Sequence, residues 1–207
     1  MTTILLADNH EVVRCGVHAL LAERPDWEVV AEAADGKEAV AQAIKTTPHV
    51  AIIDYSLPFL NGVEVTKQIR QRSSGTKVII FTMHDNNIII RDSVWAGALG
   101  YVLKSDAQGL LVTAIDTVAR HKPFFTGAAS AALHAFQTKR SNDPLSARER
   151  GVVQLIAEGH SNKAIATILG LSSKTVETHR QTVRHKLDLC STADLVRYAV
   201  RNNLIEA

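Results

Sequence analysis

Short apolar runs alternate with longer amphipathic stretches over the first 120 residues. The runs cover residues 3–7, 27–33, 50–54, 77–82 and 100–103. Three of them are unbroken: Ile4-Leu5-Leu6-Ala7, Val50-Ala51-Ile52-Ile53 and Val78-Ile79-Ile80-Phe81. Unbroken runs of this kind predict strands buried on both faces, as in a parallel sheet. Between them lie stretches of helical length at 11–23, 36–45, 62–72, 86–96 and 107–120. In the first of these, Val13, Val17, Leu20 and Leu21 share one helical face. Strands and helices in alternation predict βαβ units, hence an α/β domain with a doubly wound, five-stranded parallel sheet of flavodoxin-like type.

After residue 122 the alternation stops. Residues 123–136 are small and apolar, with helix expected over part of them, and the polar stretch 137–144 reads as linker. From residue 145 onward the periodicity is helical. Ser146-Ala-Arg-Glu149 has the form of a capping box and leads into the apolar Val152, Val153, Leu155 and Ile156. Gly159 stops that helix, and Ser161 caps a second with Ile165, Ile168 and Leu169 inward. Gly170-Leu171-Ser172 turns into a third helix over 173–187, and Ser191-Thr-Ala-Asp194 opens a fourth. The expected division is 1–122, a partly helical linker 123–144, and a small all-α four-helix domain 145–207.

Composition narrows the class. The 207 residues are 46% hydrophobic and 21% charged, as in an ordinary globular protein. No apolar run approaches the ~20 residues that span a bilayer. The first residues lack the basic region and cleavage site of a signal peptide, so the expected location is the cytoplasm, with no membrane partner. Cys15 and Cys190 are too few for a disulfide or metal framework and read as small core or interface residues. The net charge of +2 conceals an asymmetry. Residues 1–125 carry 12 Lys+Arg against 14 Asp+Glu, and residues 126–207 carry 11 against 7. A basic second half points to a nucleic-acid partner for that half.

The first inferred strand ends at Asp8, the third at Asp54, the fourth at Thr82 and the fifth at Lys104. In an open parallel sheet, ligand sites form beyond the carboxyl ends of the strands. Two acids, a hydroxyl and an amine converging there form a coherent set. Asp54 is a candidate nucleophile toward a phosphoryl group, a hard cation such as Mg²⁺ needs oxygen ligands, and Thr82 and Lys104 are suited to phosphoryl oxygens. Taken singly, each residue could simply cap a helix or end a strand.

Residues 1–120 resemble the receiver domain of two-component response regulators. The resemblance is carried by Leu5-Leu6-Ala7-Asp8, Asp54-Tyr-Ser-Leu-Pro58 with Asn61-Gly62, Phe81-Thr82 and Gly100-Tyr101-Val102-Leu103-Lys104. It implies that Asp54 is the phosphoacceptor, charged by a sensor histidine kinase. It further implies that Thr82 and Tyr101 are a switch pair, that Lys104 contacts the phosphoryl group, and that Mg²⁺ is held by Asp8, the following residue, Asp54 and the Ser56 carbonyl. The switch would let Thr82 move toward the phosphoryl group and Tyr101 fill the space left behind. One departure matters: the family has two adjacent acids after the first strand, and this chain has Asp8-Asn9. An amide oxygen can coordinate but brings no charge.

The helices at 161–169 and 173–187, joined by a three-residue turn, have helix-turn-helix spacing. The second carries Lys174, Thr175, Thr178, His179, Arg180, Gln181 and Lys186, with Lys174, Thr178 and Gln181 on one outer face. Such side chains read base edges and contact phosphates in the major groove of double-stranded DNA, though a basic helix face can also be merely solvated. Residues 145–207 resemble the LuxR-type (NarL/FixJ) DNA-binding domain through Leu145-Ser-Ala-Arg-Glu149, Ile156-Ala-Glu-Gly159, Ser161-Asn-Lys-Ala-Ile-Ala166, Leu171-Ser-Ser-Lys-Thr-Val176 and Thr178-His179. The resemblance implies a structural, internally paired Glu149, Lys163 near the DNA, and binding as a homodimer. The last helix offers Leu195, Val196, Ala199 and Val200 to a dimer contact or to the core.

The reading is a phosphorylation-controlled transcriptional regulator and not an enzyme. Two alternatives stand beside it: a phosphorylation-independent transcription factor, motivated by Asn9, and an aspartyl-phosphate phosphohydrolase. The latter often has a second acid two residues after the nucleophile, where this chain has Ser56.

Overall fold

The computed structural model describes residues 1–126, 129–130, 144–189, 191–202 and 204–205, with the side chains of 107 and 108 aside. The chain divides into two units at about residue 141.

In the first unit, strands β1 (Thr2–Ala7), β2 (Trp27–Ala33), β3 (Val50–Ile53), β4 (Lys77–Thr82), β5 (Gly100–Leu103) and β6 (Phe124–Phe125) form one parallel sheet in the order β2-β1-β3-β4-β5-β6. The unbroken runs are the interior strands. Ile4, Leu5, Leu6 and all of Val50–Ile53 are fully buried, as helices on both faces require. Helices α1 (Glu11–Ala22), α2 (Gly36–Thr46), α3 (Gly62–Arg72), α4 (Asn87–Ala96) and α5 (Ala107–Ala119) supply the crossovers. Asp35, Asn61 and Asn86 cap α2, α3 and α4, each side chain accepting from a first-turn amide.

Two details differ from expectation. The sheet has a sixth strand: Phe124 and Phe125, expected in the linker, pair with Gly100 and Tyr101 on the open edge of β5. Two aromatics beside an unpaired strand edge gain both backbone pairing and apolar cover. Cys15 is exposed on α1 instead of sitting in a core, because Val17 and Leu21 take that helix's inner face. Most of the linker expected at 123–144 lies outside the described residues, as does Cys190.

The second unit contains α6 (Ala147–Ala157), α7 (Asn162–Leu169), α8 (Ser173–Leu187) and α9 (Thr192–Arg201). Both capping boxes form, Ser146 with Glu149 and Ser191 with Asp194. Gly170 takes a left-handed φ of 63°, closing α7 before the turn into α8. Val152, Val153, Ile165, Val176, Val183, Leu195 and Ala199 are fully buried and make the core, with Ile168 only half-buried. Leu195 and Ala199 are thereby spent inside the unit and do not form an outward face.

Candidate functional site

Sheet register brings the two acids together. Ala7 and Ile53 are partners across β1 and β3, so Asp8 and Asp54, each the next residue along, emerge side by side. The Asp54 amide donates to the Ala7 carbonyl at 2.8 Å and fixes that spacing. The chain leaves β1 toward β2 on one side and returns to β3 on the other, so this is the switch point of the sheet. Partners Ile53–Ile80 and Thr82–Leu103 bring Thr82 and Lys104 to the same end.

Asp8 and Asp54 are 1% and 2% exposed. Two buried carboxylates are tolerable only with a counter-charge. Lys104 Nζ supplies it, lying 2.7 Å from Asp8 Oδ2 and 3.0 Å from Asp54 Oδ2. One ammonium shared by two acids leaves a deficit. Burial therefore lifts the Asp54 carboxyl above the ordinary carboxylate range, Lys104 pulling it back and Asp8 pushing it further up. For Lys104, burial opposes the charge, but Asp54 and Asp8 outweigh it and hold the ammonium above the ordinary lysine value.

Asn9 Oδ1 and Asp54 Oδ1 are both buried, and neither accepts a well-formed hydrogen bond, the Ser56 amide lending the Asp54 carboxylate only minor support. Orphaned oxygens beside two carboxylates suit a divalent cation. Sequence reasoning missed a third donor. The His10 amide donates to Asp8 Oδ1 at 2.9 Å, and His10 Nδ1 lies 3.4 Å from that oxygen. Asp8, His10 and Asp54 each offer a ligand atom, all within 4.8 Å of one another. The available signal was that His10 follows Asp8 by two at a strand's carboxyl end.

The loop after β4 closes over the site through His84, which the sequence did not single out. Ser56 Oγ and His84 Nε2 are hydrogen-bonded at 2.9 Å. The His84 amide donates to Thr82 Oγ1 at 3.3 Å, and its carbonyl accepts from Tyr101 Oη at 2.6 Å. Tyr101 is 1% exposed, so its ring lies inside. Burial raises its phenol above the ordinary range, which keeps it a donor. Below, Gly62 begins α3 against the phosphoacceptor candidate: a Cβ there would stand 2.7 Å from the Asp54 carbonyl oxygen.

In the second unit, Val176 and Val183 anchor α8 inward, and Lys174, Thr178 and Gln181 are exposed together. Lys163 is exposed on α7; Thr175, His179 and Arg180 are half-buried. Thr175 Oγ1 hydrogen-bonds Ser172 Oγ at 2.8 Å, and Arg180 donates to Asn162 Oδ1 at 3.1 Å. Lys186 is exposed on α8 and also meets an acid of its own unit. Its ammonium lies 2.8 Å from Glu149 Oε2, so it answers a carboxylate that is only 5% exposed. Burial works against the Glu149 charge, but hydrogen bonds from Lys186 and Ser146 hold the carboxyl below the usual range.

Comparison with known proteins accounts for both units. Residues 4–116 match the response regulator receiver domain, and residues 143–199 match the bacterial regulatory proteins of the luxR family. The chain is 35% identical over 202 residues to the transcriptional regulatory protein MctR of Rhizobium johnstonii, covering 98% of this chain and 94% of that one. It is 34% identical over 210 residues to the transcriptional regulatory protein LiaR of Bacillus subtilis, covering 99% and 100%. A solved structure of the Salmonella typhimurium RcsB response regulator, described for its conformational dynamism in DNA interaction, is similar with a TM-score of 0.62 at 28% identity over 96% of this chain and 98% of that one. Matched in this order over nearly its whole length, the chain belongs to the response regulators that join a receiver domain to a luxR-type DNA-binding domain.

Proposed function

We propose that a sensor histidine kinase transfers a phosphoryl group to Asp54 and that this controls DNA binding by the second unit. The observation that carries the reading is the Asp54 carboxylate: buried at the switch point, 3.0 Å from Lys104 and beside Asp8. In the transfer, an Asp54 oxygen forms a bond to phosphorus as the kinase's phosphorus–nitrogen bond breaks. Lys104 would answer the added charge, and Thr82 Oγ1 would donate to a phosphoryl oxygen. Asp8, Asn9, Asp54 and the Ser56 carbonyl would hold a divalent ion such as Mg²⁺, which when bound neutralises charge on the transferring group. Tyr101 and the His84 carbonyl would report the change to the surface beyond.

The exposed face of Lys174, Thr178 and Gln181, with Lys163 on the first turn of α7, would read and hold double-stranded DNA, with Thr175, His179 and Arg180 flanking it. Lys186 would join them while also pairing with Glu149. The active form would be a homodimer. The protein acts as a regulator and not an enzyme, and its place is the cytoplasm, where a kinase and DNA are both met. Among the described residues, no helix is long and apolar enough to cross a membrane. The proposed domains are 1–125, which adds β6 to the expected 1–122, and 145–207.

Incubating the full chain with acetyl phosphate and Mg²⁺ and recording the intact mass tests the reading. Wild type should gain one phosphoryl group and Asp54→Ala none. A second reading, control without phosphorylation, is favoured by Asn9 alone, and it gains if wild type takes up nothing under conditions where Asn9→Asp does.

A further inference from the structure

An imidazole beside the acid pair changes which cation the cluster suits. The charges of Asp8 and Asp54 are already shared by Lys104, and Asn9 contributes an amide where a third charge would attract a hard ion. Mg²⁺ prefers an all-oxygen octahedron and binds nitrogen poorly, whereas first-row transition ions accept imidazole readily. We propose that His10 is a direct ligand of the divalent ion held at Asp8 and Asp54, and that the cluster takes a transition ion such as Mn²⁺ in preference to Mg²⁺. This rests on the reading of Asp8 and Asp54 as the cation site.

The geometry supports it at three points. Ligands about 2.1 Å from an octahedral ion stand about 3.0 Å apart when adjacent and about 4.2 Å when opposite. His10 Nδ1 and Asp8 Oδ1 are 3.4 Å apart, and the three residues' donor atoms all lie within 4.8 Å, so small rotations close the set. Lys104 contacts the Oδ2 atoms of both acids, which leaves the Oδ1 atoms for an ion. Asp54 Oδ1 accepts no well-formed hydrogen bond, and Asp8 Oδ1 takes the His10 amide with one lone pair remaining. The His10 side chain is 49% exposed, so turning its ring disturbs no core packing.

The test uses the full chain, stripped of metal and labelled with ¹⁵N-histidine. Mn²⁺ is titrated by the electron paramagnetic resonance of the free ion, and Mg²⁺ by competition. Wild type should bind Mn²⁺ at least about tenfold tighter than Mg²⁺ and show spin-echo modulation from a directly bound histidine nitrogen. His10→Ala, and independently His10→Gln, should abolish the modulation and shrink the preference about fivefold or more. Asp54→Ala should weaken both ions. A modulation and a preference that survive both His10 substitutions overturn the assignment while leaving the acid site intact, and so does a modulation lost only in His84→Ala. Absence of any binding that depends on Asp54 overturns the assignment together with the site reading beneath it.

Discussion

Replacing Lys104 with methionine keeps most of the side-chain volume and removes the ammonium that lies 2.7 Å from Asp8 and 3.0 Å from Asp54. At an effective dielectric of about 20, those contacts correspond to about 6 and about 5.5 kcal/mol of attraction. The desolvation of the lysine offsets much of that, and breaking buried pairs typically costs a net 3–5 kcal/mol. The lower end applies here, because Asp54 has an escape: it can take up a proton. Its folded-state carboxyl already titrates above the ordinary value, and Lys104 is the strongest influence holding it down. Without Lys104 it rises further. A raised carboxyl binds its proton more tightly folded than unfolded, so its stabilisation is complete below the unfolded value of about 3.9 and is lost as pH rises through the folded value. The variant's deficit should therefore be about 3 kcal/mol at about pH 8 and clearly smaller at about pH 5. Urea unfolding in the presence of a chelator, followed by tryptophan fluorescence, measures it. Both tryptophans, Trp27 and Trp95, lie in the first unit, so the signal reports that unit. A deficit equal at the two pH values, or below about 1 kcal/mol at the higher one, refutes the account of one lysine balancing two buried acids.

Other consequences can be checked alongside. Lys174→Ala should weaken DNA binding, with the slope of log affinity against log salt falling by about 1 if the ammonium meets a phosphate; an unchanged affinity and slope return that face to solvent. Glu149→Ala removes the acceptor for Ser146 N and Lys186 and should cost the second unit about 2 kcal/mol in chemical denaturation. Because Glu149 titrates low in the fold, its contribution is present above the unfolded value of about 4.3 and is lost as pH falls through the folded one, so wild type and variant should converge in acid. Gly62→Ala forces a methyl against the Asp54 carbonyl and should destabilise the first unit by about 1–3 kcal/mol, with slower phosphoryl uptake; a variant as stable and as fast as wild type shows that α3 yields freely.

What the sequence made legible follows from how far apart the interacting residues lie. The interior strands could be read because burial on both faces leaves unbroken apolar runs, and Asp8, Asp54, Thr82 and Lys104 because each ends such a run. The helix caps of the second unit were legible because capping is a local affair of three or four residues. His84 was not, since its hydrogen bond to Ser56 joins positions 28 apart through a loop that carries no periodic pattern. The partner of Glu149 was hidden for the same reason: Lys186 stands 37 residues away, on a helix where a lysine equally suits DNA. The two-residue β6 is too short to show alternation. Tyr101 is of a residue type that occurs at every degree of burial, so its ring position needed the packing itself.

The strand β6 has a mechanical consequence. The Phe124 amide donates to the Leu99 carbonyl at 2.9 Å, and Phe125 pairs with Tyr101, so β6 is bonded to the strand that carries the buried tyrosine. A two-residue edge strand is held by few backbone bonds, each worth about 1 kcal/mol net. Residues 124 and 125 are therefore the part of the sheet that unpairs at least cost, and their release would bare the edge of the strand that carries Tyr101, so the burial of that tyrosine is tied to the weakest pairing in the sheet.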